Sequence, residues 1–306
     1  MKGTPETAVR TGLPDPLNTR FCLNRNLKRV ALNSSNLMRT RHLSILKRRH
    51  PSTATINDAS AAGLLHTSLV LSEVVAPELK VSRHGPVSLT VGLQEFVLLA
   101  GLTAREADYL LRLAATLRPP SGGRIFHWGQ DLFSLPRNAL YLWRARLAFV
   151  SPFQSLLPRL TVLENITLSQ TLLTGRSPDE VASQHQVLLN RLDLMPFLAD
   201  HPRTLPVRAY HLALWARELL KQPELILGLL PSPEDLYGGP PLTLYLLPLL
   251  QEFHARRRGA ILLAGPDLAS FYHAADRLVR CREDVWQGEP LPGRANQPLI
   301  DYLNLL

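Results

Sequence analysis

Short apolar runs punctuate the chain from residue 67 onward, and between them hydrophobic positions recur at helical spacing. Residues 69–75 are rich in Leu and Val, residues 87–91 alternate apolar with polar, and both segments predict strands. The run EFVLLA at 95–100 predicts a buried strand, closed by a turn at Gly101. Leu110, Leu113, Ala114 and Leu117 then fall on one helical face, and Pro119 with Pro120 stops that helix. Residues 125–128 and 146–150 predict further strands. Between about 161 and 222 the pattern turns mostly helical, with Leu188, Leu189 and Leu192 on one face. ELILGLL at 224–230 and AILLA at 260–264 predict buried strands, 269–275 a helix, and 277–281 the first of the closing strands. Strands alternating with helices, interrupted by one helical stretch, predict a mixed α/β domain with a parallel core.

Charge changes the picture at one end only. The chain has 306 residues and a net charge of +9. Residues 1–66 carry 11 Lys/Arg and 3 Asp/Glu, whereas the other 240 residues carry 23 and 22 and are nearly neutral. The basic segment is rich in Arg, Asn, Ser and Thr and lacks periodicity, the composition of a disordered extension. An Arg- and Ser-rich, acid-poor start also fits an organelle transit peptide. Lys28–Arg29 and Lys47–Arg48–Arg49 would suit a nucleic acid or an anionic lipid. The near-neutral body gives no reason to expect a specific nucleic-acid partner. Two cysteines, Cys22 and Cys281, form no CxxC pair, so a disulfide framework and a zinc ribbon are not expected. No apolar run approaches the ~18 residues of a membrane span, and no secretory signal pattern opens the sequence. Residues 242–250 are read as core, Arg256 to Arg258 as a solvated helix end, and His201 and His211 as core or surface histidines.

The order of segments resembles the ATP-binding cassette (ABC) ATPases of transporters. EFVLLAGLTAREADYLLRLAATLRPPSGG is similar to their P-loop region. GQDLFSLP and RARLAFVSPFQSLLPRLTVLENI resemble the stretch through the Q-loop. HPRTLPVRAYHLALWARELLKQPELILG resembles the signature helix leading into the Walker B strand, and AILLAGPDLASFYHAADRLVR the switch strand. The match runs over roughly 67–290 in family order. It implies a P-loop NTPase-like (RecA-like) core with a mixed sheet, built from 67–152 and 222–285, a helical insertion at 153–221, and a tail at 291–306.

The chemistry-bearing positions depart from the family pattern. A P-loop reads GxxxxGK[ST], so that backbone amides cradle phosphate and the Lys neutralises it. Here Gly101 and Thr103 are followed by Arg105, Glu106, Ala107 and Asp108, which place two carboxylates where polyphosphate would dock. Thr103 and Glu106 form the T-x-x-E pattern of a capping box, which would satisfy the helix start from within. The signature LSGGQ becomes Leu205, Pro206, Val207, Arg208 and Ala209, losing the hydroxyl and the glycines. The metal-contacting Asp and catalytic Glu become Leu229 and Leu230, an apolar pair unable to hold a metal's water. The Q-loop Gln aligns with Pro152, Gln154 could substitute only in a re-spaced loop, and the switch His becomes Gly265. No aromatic residue near 76–85 offers itself to stack adenine.

The resemblance therefore implies a non-catalytic transporter subunit: no metal site, no cofactor expected, and a structural or regulatory role beside a transmembrane permease. It implies pairing with a second copy or with another ABC ATPase, and a cytoplasmic position at the inner face of the membrane. The first alternative is a divergent ATPase that still uses ATP and Mg, with Arg105 rescuing phosphate binding. The second is a basic nucleic-acid-associated protein acting through residues 1–66.

Overall fold

The computed structural model describes residues 66–75, 86–236, 240–282 and 285–291. Expectations for 1–65, 76–85 and 292–306, including the basic segment and the adenine-stacking position, lie outside those residues.

The apolar runs become the central sheet. Six strands lie in the order β10-β9-β3-β8-β7-β6. They are β3 (Phe96–Ala100), β6 (Leu147–Val150), β7 (Leu225–Leu229), β8 (Ala260–Ala264), β9 (Arg277–Arg282) and β10 (Val285–Pro290). All pairings are parallel except that of β10 with β9. Continuous apolar runs suit parallel strands covered on both faces. Alternate residues accordingly enter separate cores. Phe96, Leu98, Ile226 and Leu263 face one core, and Val97, Leu99, Leu227 and Leu262 the other.

The second sheet is antiparallel, in the order β2-β1-β4-β5. It comprises β1 (Thr67–Val75), β2 (Val87–Gly92), β4 (Gly122–His127) and β5 (Gln130–Asp131). The alternation of β2 buries Val87, Leu89 and Val91 and leaves Ser88 and Thr90 exposed. Helix α1 (Ala104–Ala114) packs on the same core through Leu110, Leu111 and Leu113, all fully buried. Burial of each such side chain contributes about 1.5–3 kcal/mol.

Helix α2 (Arg137–Arg144) precedes β6, and four helices fill the chain between β6 and β7. These are α3 (Val162–Thr174), α4 (Pro178–Gln184), α5 (Gln186–Arg191) and α6 (Val207–Leu219). Helix α6 lies close against the sheet because β7 carries glycine at its contact. A Cβ at Gly228 would sit 2.6 Å from Cη2 of Trp215. Helix α7 (Thr243–Ala255) connects toward β8.

Two sequence expectations need correction. Helix α1 stops at Ala114, not at Leu117. Thr116 takes a left-handed conformation (φ 57°), and the Leu117 N–H donates back to the Arg112 carbonyl at 2.9 Å. Leu117 is 46 % exposed, so its place in the apolar rhythm reflects no buried face. The predicted helix at 269–275 is one 3₁₀ turn, Ala269–Phe271. Single turns continue past it, with the Ala274 and Ala275 N–H groups both donating to the Phe271 carbonyl, at 2.9 and 3.1 Å.

Candidate functional site

Ligands in open parallel sheets bind at the carboxyl ends of the strands. The segments leaving β3, β6, β7 and β8 at that end line one cleft of about 470 Å³, which includes Leu102, Ala107, Pro152, Leu229, Leu230 and Gly265. The P-loop, Q-loop, Walker B and switch positions singled out in the sequence thus come together.

The start of α1 is closed by its own side chains. Gly101 leaves β3 with a φ of 88°, and Thr103 caps the helix from an extended conformation. Glu106 N–H donates to Thr103 Oγ1 at 3.3 Å, and Thr103 N–H donates to Glu106 Oε2 at 2.9 Å. The Ala107 N–H donates to the Thr103 carbonyl at 2.9 Å. A P-loop lies between strand and helix, with its amides turned toward an anion. In this chain the helix begins inside the motif, at Ala104, and the amides of Thr103, Glu106 and Ala107 serve the capping box and the first helical turn. Arg105 is exposed, with its guanidinium carbon 5.8 Å from the centre of the Phe153 ring.

Asp108 connects two walls of the cleft. It accepts from Arg112 Nε at 2.6 Å, one turn along α1, and from the hydroxyl of Ser151, which is fully buried. Ser151 Oγ also accepts from the Phe153 N–H at 3.2 Å. Gln154 folds back on the same turn, where its Oε1 accepts from the Ser151 N–H at 3.2 Å. The P-loop helix and the Q-loop are thereby joined by a direct side-chain hydrogen bond.

The far wall carries Leu229, Leu230 and Gly265, beside the polar side chains of Ser232, Asp235 and His211. Leu229 ends β7 and is fully buried, and Leu230 is 2 % exposed. Gly265 adopts a φ of 147°, and a Cβ there would lie 2.8 Å from the Cβ of Leu230. The Walker B and switch positions therefore pack against each other with no room for a side chain between them.

The signature residues do not line this cleft. Pro206 caps α6 without a side-chain hydrogen bond, and Val207 starts the helix. Arg208 lies 4.0 Å from Asp193 and 5.5 Å from the ring of Tyr245, Leu205 is partly buried, and Ala209 is buried. Sequence reading missed three contributors, Arg112, Ser151 and Asp235, and took His211, which lines the cleft, for a core or surface histidine. The Asp108/Arg112 pair was visible as an i,i+4 spacing. The others join through tertiary approach alone. Burial pushes the His211 imidazole below its ordinary value, while Asp235 pulls weakly the other way.

No family profile matches the chain. Individual proteins do. It is 34 % identical over 160 residues to the lipoprotein-releasing system ATP-binding protein LolD of Anaeromyxobacter dehalogenans, covering 52 % of this chain and 65 % of that protein. Over 158 residues it is 35 % identical to the LolD protein of Pseudomonas syringae pv. tomato, covering 48 % and 69 %. It is also 32 % identical over 123 residues to the methionine import ATP-binding protein MetN 2 of Pseudomonas aeruginosa, covering 40 % and 36 %. The chain thus spans somewhat under two thirds of the length of several curated relatives, 59 % for LolD of Idiomarina loihiensis. Among solved structures, a dimeric bacterial ABC transporter cassette superposes with a TM-score of 0.62 at 20 % identity, covering 74 % of this chain and 99 % of that one. The cbiO1 subunit of Clostridium perfringens, part of an ABC transporter complex, gives 0.58 at 16 %, covering 74 % and 89 %. These structural likenesses show the fold.

Proposed function

Because the chain belongs to the ATP-binding subunits of ABC transporters, we propose that it is a non-catalytic member, a structural or regulatory partner of a membrane permease. One observation carries this reading: the helix start that would receive polyphosphate is capped by Thr103 and Glu106. On this reading the residues at the family's metal and switch positions do not suit Mg-ATP. Leu229 and Leu230 offer no metal donor, and Leu230 fills the space beside Gly265. Hydrogen bonds to charged groups contribute about 1.5–3 kcal/mol each. Loss of the Lys, the hydroxyl and the metal ligand then removes about 5 kcal/mol or more, enough to move a micromolar site past ~1 mM.

The segment we assign to permease docking is 152–163. Phe153 and Leu157 are about half exposed within it. Its backbone is firmly held. Buried Asn165 accepts from the Leu157 N–H at 2.7 Å and donates to the carbonyls of Leu157, Leu160 and Thr161. Tyr210 Oη accepts from the Leu156 N–H at 3.0 Å. A rigid, partly apolar turn is suited to transmitting force between subunits without nucleotide. On this reading the chain divides into a core lobe, 67–152 with 222–285, and a helical lobe, 153–221, and attaches peripherally at the inner face of the membrane. Among the described residues no helix is long and apolar enough to cross a membrane. Family members place each ATP between one P-loop and the partner's signature, so pairing with an intact ATPase would impair both composite sites. The name of the LolD relatives makes a lipoprotein-releasing permease the partner to test first.

Calorimetry of the full chain with Mg-ATP up to millimolar concentration tests the proposal, with the P. syringae relative as the positive control. No saturable heat is expected. A micromolar Kd, with turnover lost in Arg105→Ala, would instead establish a divergent ATPase.

A further inference from the structure

A second cleft, of about 550 Å³, opens where α5, the end of α6 and the last turns of α7 meet. It shares no lining residue with the cleft at the strand ends. Its size falls within the ~300–1,000 Å³ range of small-molecule pockets, which favour the seams between structural units. Leu188, Leu219, Leu249, Leu250 and Phe253 give it an apolar floor.

The rim is cationic. Arg191, Arg256 and Arg258 all line the cleft. Glu252 accepts from Arg191 through Oε2 and from Arg256 through Oε1, the latter at 2.6 Å. The other carboxylate on the rim, Glu224, is taken by Arg146 through two hydrogen bonds. Arg258 has no ion pair among the described residues. Three guanidiniums therefore share one carboxylate, and the surplus positive charge borders an apolar floor. Guanidinium groups bind carboxylate and phosphate through paired, parallel hydrogen bonds. Arg256 to Arg258 are all exposed just past the end of α7, as expected of a solvated helix end, and two of them also line the cleft.

We propose that this cleft binds an amphipathic anion, an apolar chain headed by a carboxylate or a phosphate monoester. The chain lies on Leu188, Leu249 and Phe253, and the head meets Arg256 and Arg258. Arg191 belongs to the inserted helices and Glu252 to α7, so an occupant ties these two parts together. The inference goes beyond the nucleotide reading and stands whether or not Mg-ATP binds.

Calorimetry of the full chain with sodium decanoate and with decyl phosphate tests it, with acetate, inorganic phosphate and decanol as controls. At least one of the two amphiphiles should bind saturably with a Kd of roughly 100 µM or tighter, and the preferred head distinguishes a carboxylate from a phosphate ligand. Arg256→Ala/Arg258→Ala and Leu249→Gln should each weaken it about tenfold or more. Arg258→Ala alone, at an exposed position, keeps the test valid if a multiple variant misfolds. Absence of saturable binding by both amphiphiles at 1 mM would overturn the proposal. So would equal binding of decanol, of acetate or of inorganic phosphate, or undiminished binding in the variants.

Discussion

The Thr103–Glu106 capping box satisfies the start of α1 from within the chain, at the position that resembles the family's P-loop. Thr103→Ala should lower stability by about 1 kcal/mol, measured by urea unfolding, and should create no affinity for ATP, because Leu229 and Leu230 are untouched. Gly265 is constrained differently. Gly265→His, the family's switch residue, must fit a Cβ against Leu230 in a backbone conformation that L residues avoid. A loss of about 2 kcal/mol or more is expected in urea unfolding, and Gly265→His/Leu230→Ala should not recover it, because the close atoms are the Cβ and backbone of residue 230, which alanine keeps. His127 supplies a pH dependence. It is fully buried, and burial pushes its pKa down to about 4, with a hydrogen bond to the Ala114 backbone opposing and Arg146 assisting. Unfolded, it protonates near its ordinary value of 6.5. Below that pH the unfolded chain binds the extra proton. Stability is thus fully present above about 6.5 and falls by ~1.4 kcal/mol per pH unit on the way to pH 4. Unfolding midpoints at pH 7 and pH 5 check this, and His127→Gln should flatten the slope. Burial of His185 and His211 tilts the curve the same way.

Among the elements, the join between α1 and the Q-loop carries the clearest energetic signature. Asp108 is 13 % exposed and accepts from Ser151 and Arg112. Asp108→Ala leaves a buried hydroxyl without its acceptor and should cost about 1.5–3 kcal/mol. A double-mutant cycle with Ser151→Ala should give a coupling energy of about 1 kcal/mol or more, and additive single effects would show that the join is incidental. Helix α1 was legible in the sequence at its start, where capping chemistry is local. Its end was not, because Thr116 is held in a left-handed conformation by a partner far along the chain. Arg144 donates to the Thr116 carbonyl and, at 3.3 Å, to its hydroxyl. The parallel strands were legible to within a residue at each end, since a continuous apolar run is the pattern of a strand covered on both faces, whereas β4 begins at Gly122 and not at 125, and β5 was not read at all.

At the scale of the molecule, the motif positions are tied to their surroundings by packing, so on the proposed non-catalytic reading single changes toward the family residues should not produce catalysis. Glu106→Gly/Ala107→Lys/Asp108→Ser rebuilds the P-loop sequence yet leaves the metal position apolar. We expect no ATP hydrolysis by this variant in a phosphate-release assay in which the P. syringae relative is active, and turnover would show that Leu229 and Leu230 do not block the chemistry. The two clefts belong to different assemblies of elements. One lies at the carboxyl ends of β3, β6, β7 and β8, and the other between the inserted helices and α7.

By itself, the sequence determined the α/β class, the strands, the family and the positions where the motifs diverge, because these depend on local periodicity, capping and order along the chain. Only the tertiary structure decided what now occupies those positions. Ser151 reaches Asp108 across 43 residues of sequence, and Arg191 reaches Glu252 across 61. Leu230 closes on Gly265 where two strands end side by side. Such contacts arise from the folding of the sheet and its helices, and the residues that make them carry no local pattern that would pair them in advance.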